Sequence, residues 1–335
     1  MNKLNTINCN LCGSKKNKTV ITTKDYLHKI PGKYSIVTCE NCGFSFTNPR
    51  PFEKDLGKFY TNSPYFKPTI FKKSVDVNKG IKQFLRHTIF REYFNYYPTE
   101  KRNLLEKIIV LPFYLLTKNG LRAFGTPNFV KNGKLLDIGC AWGLYLNEMK
   151  QTGWNVQGNE IDKKCANWAK KNLGINVESS PIEKSKIKDK FDVVATRMTL
   201  EHVYYPKTVI NSAKKLLKKN GELIITIPNF GSNEVKIFKE HAYTLQIPTH
   251  LNHFTPKKIR DLLKSEGFSK IKIIFWSNDH DILKPLNYIE NERDLTTKEK
   301  ILKSVFKQKI LRRVYFLFDR ASHGSSRMTI FAQKD

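Results

Sequence analysis

An acidic residue followed by a glycine-containing turn is the clearest sign of chemistry in this sequence. Residues 134–143 read KLLDIGCAWG: a short apolar run ends around Asp137, and a helical pattern follows the turn. A second strand-like run ends at Glu160, 23 residues after Asp137. Such a turn lets the backbone lie close against a nucleotide-like ligand, and an acid after the second strand can accept hydrogen bonds from ribose hydroxyls. The stretch therefore predicts a site for a nucleoside-containing cofactor.

The position of Asp137 distinguishes between two such cofactors. An acid ahead of the first glycine would repel the pyrophosphate of a dinucleotide but would attract an ammonium group. S-adenosylmethionine carries an ammonium, a ribose and no phosphate, so the turn is better interpreted as its site. Ligands of parallel sheets bind at the carboxyl ends of the strands. We therefore expect cofactor contacts from Asp137, Gly139, Cys140, Ala141, Gly143, Glu160, Ile161, Ser180, Ile182, Arg197 and Met198.

Four cysteines near the start of the chain form two matched pairs. Residues 9–12 read CNLC and residues 39–42 read CENC, each followed by glycine and separated by 26 residues. Two such knuckles provide four thiolates for one tetrahedral metal ion. We predict a structural zinc held by Cys9, Cys12, Cys39 and Cys42, with no coordination position left for catalysis. His28, between the knuckles, is expected at the surface.

The elements that must position these residues alternate between strand and helix from about residue 131. Strand patterns occur at KLLDIG, WNVQGNEID, INVESS, FDVVATRM, ELIITIPN, KIKIIFWS and SSRMTIFAQK, with helical segments between most of them. This alternation predicts an α/β fold with a doubly wound parallel sheet. The helix that follows FDVVATRM is expected to stop at Gly221. We expect an insertion at about 282–320 with a helix near 299–318.

Before this region, residues 81–97 have the apolar spacing of an amphipathic helix, and Pro112 is expected to end or kink the next helix. The predicted organisation is a zinc ribbon head at 1–62, a helical connector or lid at 63–130 and a catalytic domain at 131–335.

Several segments resemble class I S-adenosylmethionine-dependent methyltransferases. KLLDIGCAWG is similar to the family's cofactor turn, FDVVATRMTLEHVYYP to the segment that carries its Glu-His pair, and HLNHFTPKKIRDLLKSEGF to a segment of its "methyltransferase domain" subgroup. CENCGFSFTNPRP followed by KDLGKFY resembles the zinc-binding head of methyltransferases found with sugar and surface-glycan biosynthesis. The resemblance implies a Rossmann-like seven-stranded sheet, methyl transfer from S-adenosylmethionine and a sugar or glycan intermediate as acceptor.

The sequence departs from the family pattern at two positions. Ala141 occupies the middle of a turn that often has three glycines, and alanine is small enough for that place. Relatives that methylate quinone precursors carry an acid three residues before the Glu201-His202 pair, where this chain has Met198. The second departure argues against a metal-assisted mechanism.

Histidines are the candidates for a catalytic base. An oxygen or carbon nucleophile must lose a proton as it accepts a methyl group, and histidine titrates in the right range for that task. His202 follows the fourth predicted strand, and His250 and His253 lie in the irregular stretch after the fifth; His241 is a further candidate. The alternative is that His202 only packs its loop and His253 only orients the following helix.

The net charge of +29 suggests an anionic partner, but bias in the coding sequence toward lysine and asparagine would explain it equally well. The expected partner is a small-molecule acceptor, including nucleotide- or lipid-linked sugars. One alternative is an RNA methyltransferase that grips RNA with the ribbon and the basic surface. Another is a non-catalytic zinc-ribbon binding module.

The basic, amphipathic segment KEKILKSVFKQKILRRVYFLFD suggests a helix that covers the sheet or, alternatively, contacts a membrane peripherally. The N-terminus lacks the apolar core of a secretory signal, and the longest apolar run, IIVLPFYLL, is too short to span a bilayer. We therefore expect a cytoplasmic protein, with the inner face of the membrane as the site of any peripheral contact.

Overall fold

The structure, a computed structural model, describes residues 4–60, 81–97 and 99–335. The strands are β1 (Leu4–Asn5), β2 (Asn17–Thr23), β3 (Tyr34–Cys39), β4 (Ser45–Thr47), β5 (Arg50–Pro51), β6 (Lys134–Ile138), β7 (Asn155–Asn159), β8 (Asn176–Glu178), β9 (Phe191–Arg197), β10 (Leu217–Pro228), β11 (Asn252–His253), β12 (Phe268–Trp276) and β13 (Arg327–Lys334). The helices are α1 (Ile81–Phe94), α2 (Leu104–Ala123), α3 (Leu144–Gln151), α4 (Lys163–Leu173), α5 (Pro206–Leu216), α6 (Asn233–Phe238), α7 (Pro256–Ser265), α8 (Asp279–Glu290), α9 (Thr297–Lys307) and α10 (Lys309–Ala321). Short 3-10 turns include Glu53–Tyr60 and Tyr243–Leu245.

A seven-stranded sheet forms the centre of the catalytic part, in the order β12-β13-β10-β9-β6-β7-β8. The strands from β10 to β8 pair in parallel, while β13 runs antiparallel to both β10 and β12. The predicted Rossmann-like, doubly wound sheet is therefore confirmed. Its parallel strands bring the ends of β6, β7 and β9 to one edge, where ligands of such sheets bind.

Alternating residues of each strand face opposite layers. Leu136 and Val194 belong to a core that includes side chains of α5 and α7, while the neighbouring Leu135 and Val193 pack with α1, α2 and α3. Both sides of the central strands are covered, which explains why β6 is almost entirely buried.

The head is built around a second sheet in the order β11-β4-β3-β2. Its edge strand β11 comes from the stretch after β10, and Asn252 pairs with Phe46 of β4. This pairing was not predictable from the sequence, because a two-residue strand has no detectable periodicity. The head is thus joined to the loop that carries His250 and His253.

Two helix boundaries differ from the sequence prediction. Pro112 does not end α2, which continues to Ala123 and is held by its opposite face, where Val110 is fully buried. The helix predicted to stop at Gly221 ends at Leu216 instead. Leu217 is buried and pairs with Phe191, so β10 begins there.

The predicted insertion consists of three helices, α8 to α10, where the sequence indicated one. Asn278 and Thr296 cap α8 and α9 through capping boxes, which start two helices that the apolar spacing did not separate. His28 is buried, with only 6% of its surface exposed, which contradicts the expected surface position. Residues 63–80 of the predicted connector lie outside the described residues.

Candidate active site

The turn after β6 has the backbone of a ligand-binding loop. Gly139, Ala141 and Gly143 all have positive φ, at 75°, 46° and 73°. A Cβ at Gly139 would lie 2.4 Å from Oγ1 of Thr199, so this position has no room for a side chain. Thr199 packs on the turn from the segment after β9, a contact that strand-end reasoning missed.

Glu160 holds this turn from the end of β7. Its two carboxylate oxygens accept hydrogen bonds from the backbone N–H of Ala141 (2.8 Å) and of Asp162 (2.9 Å). Burial raises the pKa of the carboxyl, while the two N–H donors act in the opposite direction. Glu160 therefore lies beside the turn and shapes it directly.

Asp137 is the most unusual acid of this edge. It is 3% exposed, and its Oδ1 has no hydrogen-bond partner in the described part of the chain. Burial raises its pKa to about 7, although the charge of Arg197 acts to lower it. The guanidinium of Arg197 lies 4.3 Å from the ring centre of Tyr145. A buried carboxylate oxygen without a partner fits a cationic ligand group, such as an ammonium.

The other predicted cofactor residues fall into two groups. Cys140 is buried, and its Sγ leaves no space for a Cβ at Gly158, so it is a packing residue of the turn. Ile161 is 70% exposed, and Ile182 is buried in a short 3-10 turn. The structure thus gathers Asp137 and Glu160 at the turn and leaves Ile161 largely exposed.

Two further strand ends supply Ser180 and Met198. The Ser180 hydroxyl donates to Glu178, while its carbonyl accepts from the side chain of Asn159. Met198 has a φ of 51°, and its sulfur accepts a hydrogen bond from Arg327 at 3.7 Å. Arg327 was not anticipated, because it comes from the last strand, far along the chain.

A second cluster follows β9 and contains His202. Its Nδ1 lies 3.0 Å from the carbonyl oxygen of Thr249 and 2.7 Å from the hydroxyl of Tyr60. A carbonyl oxygen can only accept, so the tautomer that satisfies Thr249 carries its proton on Nδ1 and leaves the lone pair of Nε2 available. Burial lowers the pKa of His202 to about 4, which keeps the ring neutral at pH 7. Tyr60 belongs to the head, and nothing in the sequence connected it with His202.

His250 packs beside His202 with 4.6 Å between the ring centres. Its Nδ1 donates to the carbonyl of Thr244 at 2.9 Å. His253 instead contacts the head, with its Nε2 3.0 Å from the hydroxyl of Thr47. The structure therefore brings His202 and His250 together and places His253 at the joint between the head and the catalytic part. His241 bonds to Glu292.

Glu201 is buried next to these histidines. Among the residues that the structure describes, neither of its carboxyl oxygens has a hydrogen-bond partner, and burial raises its pKa to about 8. Ligand atoms of Glu201, His202 and His250 lie within 4.8 Å of one another, so they could hold a metal ion. The charge of Arg327, which acts to lower the Glu201 pKa, opposes a cation at this place.

The four cysteines of the head converge as the knuckle spacing predicts. The sulfur atoms of Cys9 and Cys42 are 3.6 Å apart, as are those of Cys12 and Cys39, and all four lie within 4.8 Å of one another. Zn–S bonds of 2.3 Å in a tetrahedron would place sulfurs about 3.8 Å apart. This donor set fits a zinc ion.

Within the described ranges, none of the helices has the length and apolar character needed to cross a bilayer.

Comparison with known proteins agrees with this geometry. Residues 111–273 match a family described as a methyltransferase domain. The chain is 36% identical over 201 residues to the ubiquinone biosynthesis O-methyltransferase of Pelagibacter ubique, covering 55% of this chain and 78% of that protein. It is 26% identical over 156 residues to the Coxiella burnetii protein of the same name, covering 45% of this chain and 64% of that protein.

The chain is therefore a member of the class I S-adenosylmethionine-dependent methyltransferases. Its enzymatic activity is methyl transfer from S-adenosylmethionine. A solved structure from Thermotoga maritima, described as a possible histamine N-methyltransferase, covers 74% of this chain and 99% of its own at 17% identity, with a TM-score of 0.44.

Proposed function

We propose that this methyltransferase acts on an oxygen or carbon of a small-molecule acceptor, and that the acceptor is a sugar or an intermediate of glycan biosynthesis. The observation that carries the proposal is the position of His202, which lies between Tyr60 of the head and His250 of the loop after β10. A base enclosed on two sides suits a small acceptor. The "O-methyltransferase" in the relatives' name supports oxygen as the nucleophile.

The donor side of the proposed site uses the two acids. Asp137, with its unpartnered oxygen, would receive the ammonium group, and Glu160 would receive the ribose hydroxyls. S-adenosylmethionine, when bound, supplies an activated methyl group. The protein's contribution on this side is to orient that group and to exclude water.

The acceptor side uses the neutral His202. An acceptor hydroxyl hydrogen-bonded to Nε2 would pass its proton to the ring as the methyl group arrives, and the Thr249 carbonyl would hold the ring in place. Glu201, which retains its proton at neutral pH, could donate a hydrogen bond to the same acceptor. The site then holds one acid and one base between pH values of about 4 and 8.

In this proposal, the zinc ion bound by the head has a structural role. Cys39 ends β3, whose neighbour β4 pairs with β11. One zinc bound to four thiolates would thus fix the edge on which the histidine loop is built.

The acceptor class can be tested by incubating the protein with methyl-deuterated S-adenosylmethionine and two acceptor panels. One contains nucleotide-linked sugars, and the other contains phenolic quinone precursors suggested by the relatives' name. Deuterated methyl on a sugar, lost in His202→Gln, is the expected result. Methylation of the phenols alone would replace the sugar proposal with a quinone-precursor activity.

An RNA acceptor remains the second candidate because of the net charge of +29. Tight RNA binding with a steep dependence on salt, together with methylated RNA as product, would favour it. Because the chain belongs to the methyltransferase family, we reject the hypothesis of a non-catalytic zinc-ribbon binding module.

A further inference from the structure

Helix α10 buries two charged side chains and exposes most of its large apolar ones, while Tyr315 and Phe316 pack partly against the core. Its buried side carries charge: Arg312 forms a bidentate pair with Asp279, with both bonds at 2.7 Å, and Asp319 accepts from Ser277 and Asn233. Its outer side is apolar, with exposed fractions of 78% for Ile310, 47% for Leu311, 44% for Val314, 63% for Leu317 and 72% for Phe318. An ordinary helix covering a sheet has the opposite arrangement.

The exposed charges of α10 are all positive. Lys309 and Arg313 are exposed and, four residues apart, form a ridge beside the apolar stripe. Lys307, just before the helix, is exposed as well. The helix contains a single acid, Asp319, and it is buried. An apolar stripe flanked by basic residues is the pattern of a helix that lies in a membrane interface.

Helix α2 exposes a second apolar face. Leu104, Leu105, Ile108, Ile109 and Leu115 are between 52% and 72% exposed, while Val110 on the opposite side is fully buried. An isolated exposed leucine needs no explanation, but five on one helix form a continuous surface of the kind that marks an interaction site.

The two helices are anchored at the same end of β12. Phe124, directly after α2, is 58% exposed, and its ring lies 5.5 Å from that of Trp276, the last residue of β12. The next residue, Ser277, donates its hydroxyl proton to Asp319 of α10. The end of one apolar helix thus lies near the attachment point of the other.

We propose that α10, together with α2, docks this protein onto an anionic membrane surface. The basic ridge would contact lipid phosphates, and the apolar side chains would enter the interface. A second copy of the chain is a poorer occupant, because two surfaces from molecules with a net charge of +29 repel each other. The proposal concerns where the enzyme acts and does not depend on the identity of the acceptor.

The test is sedimentation of the full chain with vesicles, without any acceptor. Vesicles of phosphatidylcholine with about one third phosphatidylglycerol are compared with pure phosphatidylcholine. The expected result is binding to the anionic vesicles that weakens as salt is raised. Lys309→Gln/Arg313→Gln should weaken it roughly 25-fold, at about fivefold for each charge near the surface. Leu317→Ser/Phe318→Ser should also weaken it at least about tenfold through lost apolar insertion.

The matched control is Val20→Ser/Val130→Ser, which removes two exposed apolar side chains elsewhere (46% and 39% exposed) and should bind vesicles as the parent does. Affinity for S-adenosylmethionine, measured by calorimetry, should be unchanged in all three variants and shows that they are folded. The proposal is overturned if the parent chain ignores anionic vesicles or if the α10 variants bind them equally well. A dimer that Leu317→Ser/Phe318→Ser converts to monomer, without vesicle binding, would show that a second copy covers this face.

Discussion

The hydroxyl of Tyr60 lies 2.7 Å from Nδ1 of His202, so the head is hydrogen-bonded to the candidate base 142 positions further along the chain. The tyrosine ring also packs against the histidine, with 5.9 Å between ring centres. The head therefore contributes a residue to the proposed acceptor site.

Tyr60→Phe keeps the ring and removes only the hydroxyl. One lost neutral hydrogen bond is worth about 1 kcal/mol. We therefore expect kcat to fall about fivefold and the acidic limb of its pH profile to move, with unchanged affinity for S-adenosylmethionine. His202→Gln should lower kcat by roughly 10² to 10⁴. If Tyr60→Phe shifts neither kcat nor the profile, the hydroxyl has no role in positioning His202.

Asp137 predicts a pH dependence of cofactor binding. Its pKa of about 7 means that the carboxyl is protonated below pH 7, whereas an ammonium ligand requires the carboxylate. Affinity for S-adenosylmethionine should rise by up to tenfold per pH unit from pH 5.5 toward 7 and then level off. Calorimetry in two buffers of different ionisation enthalpy should detect release of about one proton below pH 7.

Asp137→Asn is the control for that measurement. The amide keeps the shape of the side chain but not its charge, so binding should be weak and nearly independent of pH. A pH dependence that survives in Asp137→Asn would assign the titration to another group.

Gly139→Ala tests the turn itself. The new Cβ would lie 2.4 Å from Oγ1 of Thr199, and the φ of +75° disfavours any side chain. We expect a loss of stability of more than about 1 kcal/mol and strongly reduced cofactor binding. Adding Thr199→Ala should restore part of the stability. Thermal unfolding and calorimetry on both variants give the comparison, and full activity in Gly139→Ala would contradict this geometry.

The cysteine cluster predicts one zinc per chain. Metal analysis of protein prepared without chelators should give a ratio near one, and Cys39→Ser should lower it. Because β4 pairs with β11, loss of the metal should also reduce methyl transfer, although no cysteine lies among the candidate catalytic residues. Metal-free protein of full stability and activity would exclude a structural zinc.

His253 predicts a stability effect whose sign depends on pH. Burial lowers its pKa from 6.5 to about 3. Between these two pH values, His253 is therefore neutral in the folded state and protonated in the unfolded chain. Its contribution to stability is therefore complete above pH 6.5 and is lost as the pH falls toward 3. Relative to the parent, His253→Gln should be destabilised at pH 7.5 and should recover about 2 to 3 kcal/mol at pH 4.5. Urea unfolding at both pH values measures the difference, which a surface histidine would not show.

Local signals predicted much of the catalytic part. The strands that lead to Asp137 and Glu160 form where the strand patterns indicate them. The cysteine pairs meet because their spacing alone defines two knuckles. These features depend on residues that are close in sequence, or on a sheet topology that the strand–helix alternation implies.

Long-range contacts were not predictable in the same way. The bond between Tyr60 and His202, the pairing of β11 with β4 and the approach of Arg327 to Met198 each join distant segments. No composition or period marks such partners. The exposure of the apolar faces of α2 and α10 was also not predictable. An apolar pattern shows which side chains share a face, but it does not show whether another part of the protein covers that face.

Strand β11 belongs to the head's sheet but comes late in the chain, which affects how the protein folds during synthesis. The ribosome produces the cysteines and β2 to β4 early, but the edge strand at Asn252–His253 only about 200 residues later. The head's sheet therefore cannot be completed until most of the catalytic part has been synthesised. The two parts reach their final form together, and the sheet of a separately expressed head would lack an edge strand.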